Sequence, residues 1–137
     1  MSKSSMFVIS ALLWGASLQA GTAIIVHPSN SNSLDAFQIS QIFLTKMKTF
    51  PDGSEALPVF LPVDHPVFDA FLRQVINKNL AQFKAYFGKL IFTGRGTPPK
   101  VVDSDDAMLE LIAINPNLIG MVDEAKVTDK VKVVAIF

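Results

Sequence analysis

At 137 residues the chain is long enough for one ordinary domain, and with half of those residues hydrophobic it can bury a real core. Twelve basic and twelve acidic residues cancel to a formal charge of zero, with no basic block, so the electrostatic footprint of a nucleic-acid binder is missing. There is no cysteine, which excludes disulfides, thiolate nucleophiles and cysteine-based metal sites together.

The N-terminus has the layout of an export signal. Lys3 precedes the apolar run Met6–Trp14, and small residues lead to Ala20. This order predicts cleavage after Ala20, although Leu18 is larger than the usual small residue at that motif. The run is too short to span a bilayer; a retained anchor helix or a buried N-terminal helix is the alternative. The folded domain is then expected over 21–137.

Ala23–Val26 is a short β-rich apolar run that fits a buried parallel strand, and His27-Pro28 leads it into the loop Ser29-Asn30-Ser31-Asn32-Ser33. Ser33 is placed to cap a helix with Ala36, Ile39 and Phe43 on its apolar face. Pro51-Asp52-Gly53-Ser54 reads as a turn. Leu57–Val63 is extended, and its two prolines predict an edge or strand-end segment. Asp64 is placed to cap a second helix, with Pro66 in its first turn and Phe68, Phe71, Leu72, Val75 and Ile76 on one stripe. Asn79 starts a third helix with Leu80, Phe83 and Phe87 inward and Gly88 near its end. Phe92–Pro99 is irregular, and Val101-Val102 is extended. Asp103 or Ser104 caps a fourth helix carrying Met108, Leu111 and Ile112, which Asn115-Pro116-Asn117 stops. Leu118–Val122 and Val131–Phe137 read as closing strands. Strands alternating with helices make the class α/β with a largely parallel sheet flanked by helices.

Three stretches carry a resemblance. Gln38–Lys46, ending Ile42-Phe43-Leu44-Thr45-Lys46, is similar to the "IFxGK" helix end of phosphate ABC-transporter binding proteins, and the Pro51-Asp52-Gly53 turn follows it. Asn115–Val122 resembles their "NPGAIGYV" stretch. Phe92-Thr93-Gly94-Arg95-Gly96 with Pro99 resembles the glycine-rich segment between. Order and spacing agree from Ala23 to Phe137. The resemblance implies a single lobe of a type II periplasmic-binding-protein fold, a periplasmic location, capture of a small oxyanion such as phosphate without chemistry, and a membrane transporter as partner. A second copy of the chain, making a homodimer, is one source of the missing lobe. The competing reading is an envelope protein–protein interaction domain that has kept the fold and lost the ligand.

In the family a loop reading roughly Arg-Ser-Asp-Gly-Ser-Gly-Thr holds the anion through amides, hydroxyls and a guanidinium. The matching stretch here, Leu61–Val67, lacks those donors, has Asp64 where the anion would sit and loses an amide at Pro66. Those contacts are not carried over. Two other groups of donors remain. Ser29, Asn30, Ser31 and Ser33 follow a strand end, where open α/β sheets bind ligands, and the same composition also serves a solvated loop. Thr93, Gly94, Arg95, Gly96 and Thr97 combine two glycines that admit close approach with a guanidinium and two hydroxyls. That stretch serves equally as a structural crossing loop. His27 and His65 stand apart without a third ligand, and Asp103–Asp106 reads as an acidic helix start, so no metal site is expected. No catalytic or cofactor motif occurs, so neither enzyme activity nor a cofactor is expected.

Overall fold

The computed structural model describes residues 21–137. The expected leader lies outside them. Five strands form one sheet in the order β3-β2-β4-β1-β5. They are β1 (Thr22–Val26), β2 (Leu57–Phe60), β3 (Lys100–Val101), β4 (Leu118–Asp123) and β5 (Lys132–Ile136). β2 pairs in parallel with β3 and β4, whereas β1 runs antiparallel to both β4 and β5. Four strands therefore point one way, the largely parallel sheet expected, and β1 is the exception. Ala23–Val26 is buried as read but is not a parallel strand. Every residue of β1 is buried, so both faces of the sheet are covered there.

The first helix, α1, is Ala36–Phe43. Its cap is Asp35 rather than Ser33, because Asp35 and Gln38 form a reciprocal capping box: Asp35 Oδ1 accepts from Gln38 N–H at 2.7 Å, and Gln38 Oε1 accepts from Asp35 N–H at 2.9 Å. Starting two residues later turns Ala36 to solvent and brings Ile42 inside with Ile39 and Phe43.

β2 is an interior strand, not an edge. Leu57 N–H donates to Asn117 O on the β4 side, and Phe60 O accepts from Val102 N–H on the β3 side. By alternation the missing amide of Pro58 faces the β3 side, below the point where β3 begins at Lys100, so no ladder bond is lost. Asp64 lies in a turn and caps nothing. The next helix, α2 (Phe68–Phe71), starts after Val67 without a side-chain cap and continues as a π-helical segment, Leu72–Ile76. All five residues of the expected stripe are buried.

α3 (Leu80–Phe92) starts at a second capping box, Asn79 with Gln82, and runs four residues beyond Gly88. Its end is a Schellman closure: Gly94, at φ +72°, donates to Ile91 O and Arg95 N–H donates to Leu90 O at 2.8 Å. α4 (Asp105–Ala113) is capped by Ser104, buries Leu109 together with Met108 and Ile112, and packs on β4 and β1. The core centres on Phe60, whose ring meets those of Phe43, Phe68, Phe71, Phe83 and Phe87 at 5.3–6.5 Å between centroids. Such edge-to-face pairs add about 0.5–1.5 kcal/mol each beyond area burial.

Candidate functional site

The parallel strands divide the molecule into two chemically different ends. At the carboxyl ends of β2 and β3 lie the loop 61–67 and the start of α4. Asp64, Asp103 and Asp106 are exposed there, and Asp105 is 8% exposed. His65 Nε2 lies 2.8 Å from Asp105 Oδ1, with both side chains largely covered. His65 Nδ1 accepts from Val67 N–H at 3.2 Å, which puts the ring proton on Nε2. The Nε2–H approaches Asp105 obliquely, and Oδ1 has no well-directed donor. This contact ties the 61–67 loop to α4. With four carboxylates around it, this end repels an anion despite the helix N-terminus.

The amino ends of the strands carry the opposite charge. A groove of about 410 Å³ opens there between the turn after α1, the start of β2 and the loop after α3. Gly94, Arg95, Gly96 and Thr97 form one wall, facing Thr45 and Lys48 on one side and Glu55 on another. The amides of Gly94 and Arg95 are used by the helix closure, whereas no backbone acceptor takes the Gly96 or Thr97 N–H among the described residues. Gly96 lies close against Leu90, where a Cβ would stand 3.3 Å from Leu90 Cβ. Arg95 is exposed, and the two salt bridges of the described residues, His65–Asp105 and Arg73–Asp69, leave it and Lys48 unpaired.

Thr45 sits at the position of glycine in the "IFxGK" stretch and has φ +58°, a rare conformation for a β-branched residue. Its hydroxyl donates to Leu44 O at 2.6 Å, and that carbonyl also accepts from Tyr86 OH at 2.7 Å. Burial raises the Tyr86 phenol above its ordinary value of 10.0, with the Thr45 hydroxyl opposing. These contacts hold the groove's floor to α3.

The Ser29–Ser33 loop does not join this groove. Because β1 is antiparallel, its carboxyl end lies at the amino ends of the other strands, the same end as the groove, but none of residues 29–33 lines it. Asn30 is buried; its Oδ1 accepts from Asn32 N–H and Nδ2, and its carbonyl accepts from Lys132 Nζ at 2.8 Å. Asn32 exchanges hydrogen bonds with Asp52 in the turn, and Ser29 bonds His27 Nδ1. Ser54 hydroxyl and amide hold the Asp52 carboxylate below its usual range. Ser31 and Ser33 remain exposed.

Thr45, Lys48 and Glu55 escaped sequence reading, since they lie forty to fifty residues before Arg95 with no shared motif. The glycine position inside "IFxGK" was the one signal that could have pointed to Thr45. Among the described residues no cluster of three His, Asp or Glu side chains could hold a metal.

No protein-family model matches the chain, and no curated protein does. Solved structures do. The chain is similar to a protein assigned as a phosphate ABC transporter substrate-binding protein, solved with bound phosphate, from Clostridium perfringens: TM-score 0.66, 20% identity, covering 84% of this chain and 44% of that one. It is also similar to an ABC-type phosphate transport receptor from Vibrio cholerae (TM-score 0.58, 16% identity, covering 84% and 45%). A third is PstS from Borrelia burgdorferi (TM-score 0.56, 11% identity, covering 76% and 40%). The chain spans less than half the length of these solved chains, and its α/β fold is that of one lobe of phosphate ABC transporter substrate-binding proteins.

Proposed function

We propose that the protein is a non-enzymatic, exported solute-binding protein that takes phosphate or another small oxyanion in the groove at Arg95 and works with an ABC-type membrane transporter. The observation that carries this reading is the unpaired Arg95 guanidinium between two glycines, next to Lys48 and the unused amides of Gly96 and Thr97. A guanidinium, an ammonium and two amides form a donor set for a small oxyanion, and the volume falls within the range of ligand pockets. The ends of α1 and α3 present carbonyls here, so side-chain cations must offset an unfavourable dipole. Binding in one lobe is accordingly weak.

Glu55 adds selectivity. A carboxylate can only accept, so it favours an anion that keeps a proton, as hydrogen phosphate does, over fully ionised sulfate. Export follows the leader expected at residues 1–20. Calorimetry of the protein with phosphate and with sulfate tests the reading. Arg95→Ala is expected to weaken phosphate binding about 10- to 150-fold with little change in melting temperature. Glu55→Gln should narrow the preference for phosphate over sulfate. Unchanged phosphate affinity in Arg95→Ala, with a lowered melting temperature, would make Arg95 a scaffold residue. Absence of any heat with either anion would favour the domain that keeps the fold for protein contacts alone.

A further inference from the structure

We propose that the face of α3 centred on Lys89 docks the protein onto an anionic lipid bilayer. Residues 70–102 hold Arg73, Lys78, Lys84, Lys89, Arg95 and Lys100 and no Asp or Glu at all. In a chain of zero net charge this is strong segregation, and the fold concentrates it further. Helical spacing puts Lys89 between Tyr86, one turn before, and Phe92, one turn after. Lys46 and Lys78 converge on the same place from neighbouring turns, with their Nζ atoms 5.8 and 5.4 Å from the Tyr86 ring centroid. Arg95 borders a second groove there with Tyr86, Lys89 and Thr93. None of these four cations is in a salt bridge among the described residues.

One turn beyond Lys89, Phe92 is 91% exposed, the most exposed large hydrophobic side chain described. An exposed phenylalanine and a cluster of mutually repelling cations are each unfavourable in water. An anionic bilayer relieves both at once: headgroup charges neutralise the lysines, and the acyl boundary accepts the ring, with Tyr86 at headgroup level. An acidic protein would satisfy the charges but would need a matching pocket for a protruding Phe92. A bilayer needs none.

The test is co-sedimentation of the full chain with vesicles of phosphatidylcholine containing about one-third phosphatidylglycerol, against vesicles of phosphatidylcholine alone. Binding to the anionic vesicles is expected to fall as salt is raised. Each cation near the surface contributes about fivefold, so the triple variant Lys46→Gln/Lys78→Gln/Lys89→Gln should bind on the order of 100-fold more weakly. Phe92→Ser should lose about tenfold without any change of charge. At constant ionic strength, millimolar inorganic phosphate should weaken binding by no more than the share of Arg95, about fivefold, which separates this face from the oxyanion groove and lets either proposal fail alone. Equal binding to neutral vesicles, unimpaired binding by the triple variant, or displacement by free phosphate beyond that share would each overturn the assignment. Unchanged melting temperatures confirm that the variants remain folded.

Discussion

Gly120 is where α4 comes closest to the sheet, and it offers a severe test of the packing. It lies in β4 opposite Ile25 of β1. A Cβ added there would stand 2.5 Å from Met108 Sδ and 3.2 Å from Ile112 Cδ1, and both side chains are fully buried. Overpacking of this kind costs about 1–3 kcal/mol, and the reduced unfolded-state entropy of alanine offsets about 0.4–1 kcal/mol of it. Gly120→Ala should therefore destabilise the protein by about 1–2 kcal/mol, or roughly 4–8 °C in melting temperature for a domain of this size. The assay is urea and thermal unfolding of a double-mutant cycle with Met108→Ala. Truncating the buried methionine alone costs about 2–5 kcal/mol, but it also removes the sulfur that the new methyl group meets. Adding Gly120→Ala in that background should cost nothing or restore some stability, giving a coupling of about 1–2 kcal/mol. The same cost in both backgrounds, or a Gly120→Ala protein as stable as the parent, would refute the close approach of α4 to β4.

Two further outcomes are expected from the α3 region. Gly94→Ala forces a side chain onto φ +72° at the Schellman closure and should cost about 1 kcal/mol, read as a lower urea midpoint. Tyr86 has a raised folded-state value, so the native protein keeps a proton that the unfolded chain loses. Its contribution is complete below pH 10.0 and declines as pH rises through the folded value. Tyr86→Phe should abolish that part of the alkaline decline while costing about 1 kcal/mol at neutral pH for the bond to Leu44, measurable as urea midpoints across the alkaline range.

Part of the site was legible because its chemistry is local. A charged residue between glycines, Gly94-Arg95-Gly96, stands out in any reading, and the groove includes it. The facing wall was not legible, since Lys48 and Glu55 reach Arg95 only when the 47–56 hairpin folds against the loop after α3. The Ser29–Ser33 loop reaches the amino ends of the parallel strands, the same end as the groove, because β1 runs against its neighbours, yet its polar groups bond within the loop and to Asp52 instead of lining the groove. His65 and Asp105 illustrate the same limit, forty residues apart with no spacing rule to join them. The six cations of 70–102 are present in the sequence as single, evenly scattered residues. Of these, Lys89 on α3 is joined by Lys78 and Arg95 around Tyr86 only when the turns at the two ends of that helix fold back beside it.

By itself the sequence determined the order of the main helices and strands, the inward stripe of Phe68, Phe71, Leu72, Val75 and Ile76, the Asn79 cap and the stop at Asn115-Pro116-Asn117. Each depends on periodicity or on backbone chemistry within a few residues. Tertiary structure decided that Pro58 sits inside the sheet rather than at its edge, and that β1 runs against the rest. Those choices turn on partners distant in the chain. The direction of a strand is set by the strands it pairs with, and a proline is tolerated in a ladder only where the neighbouring strand has not yet begun.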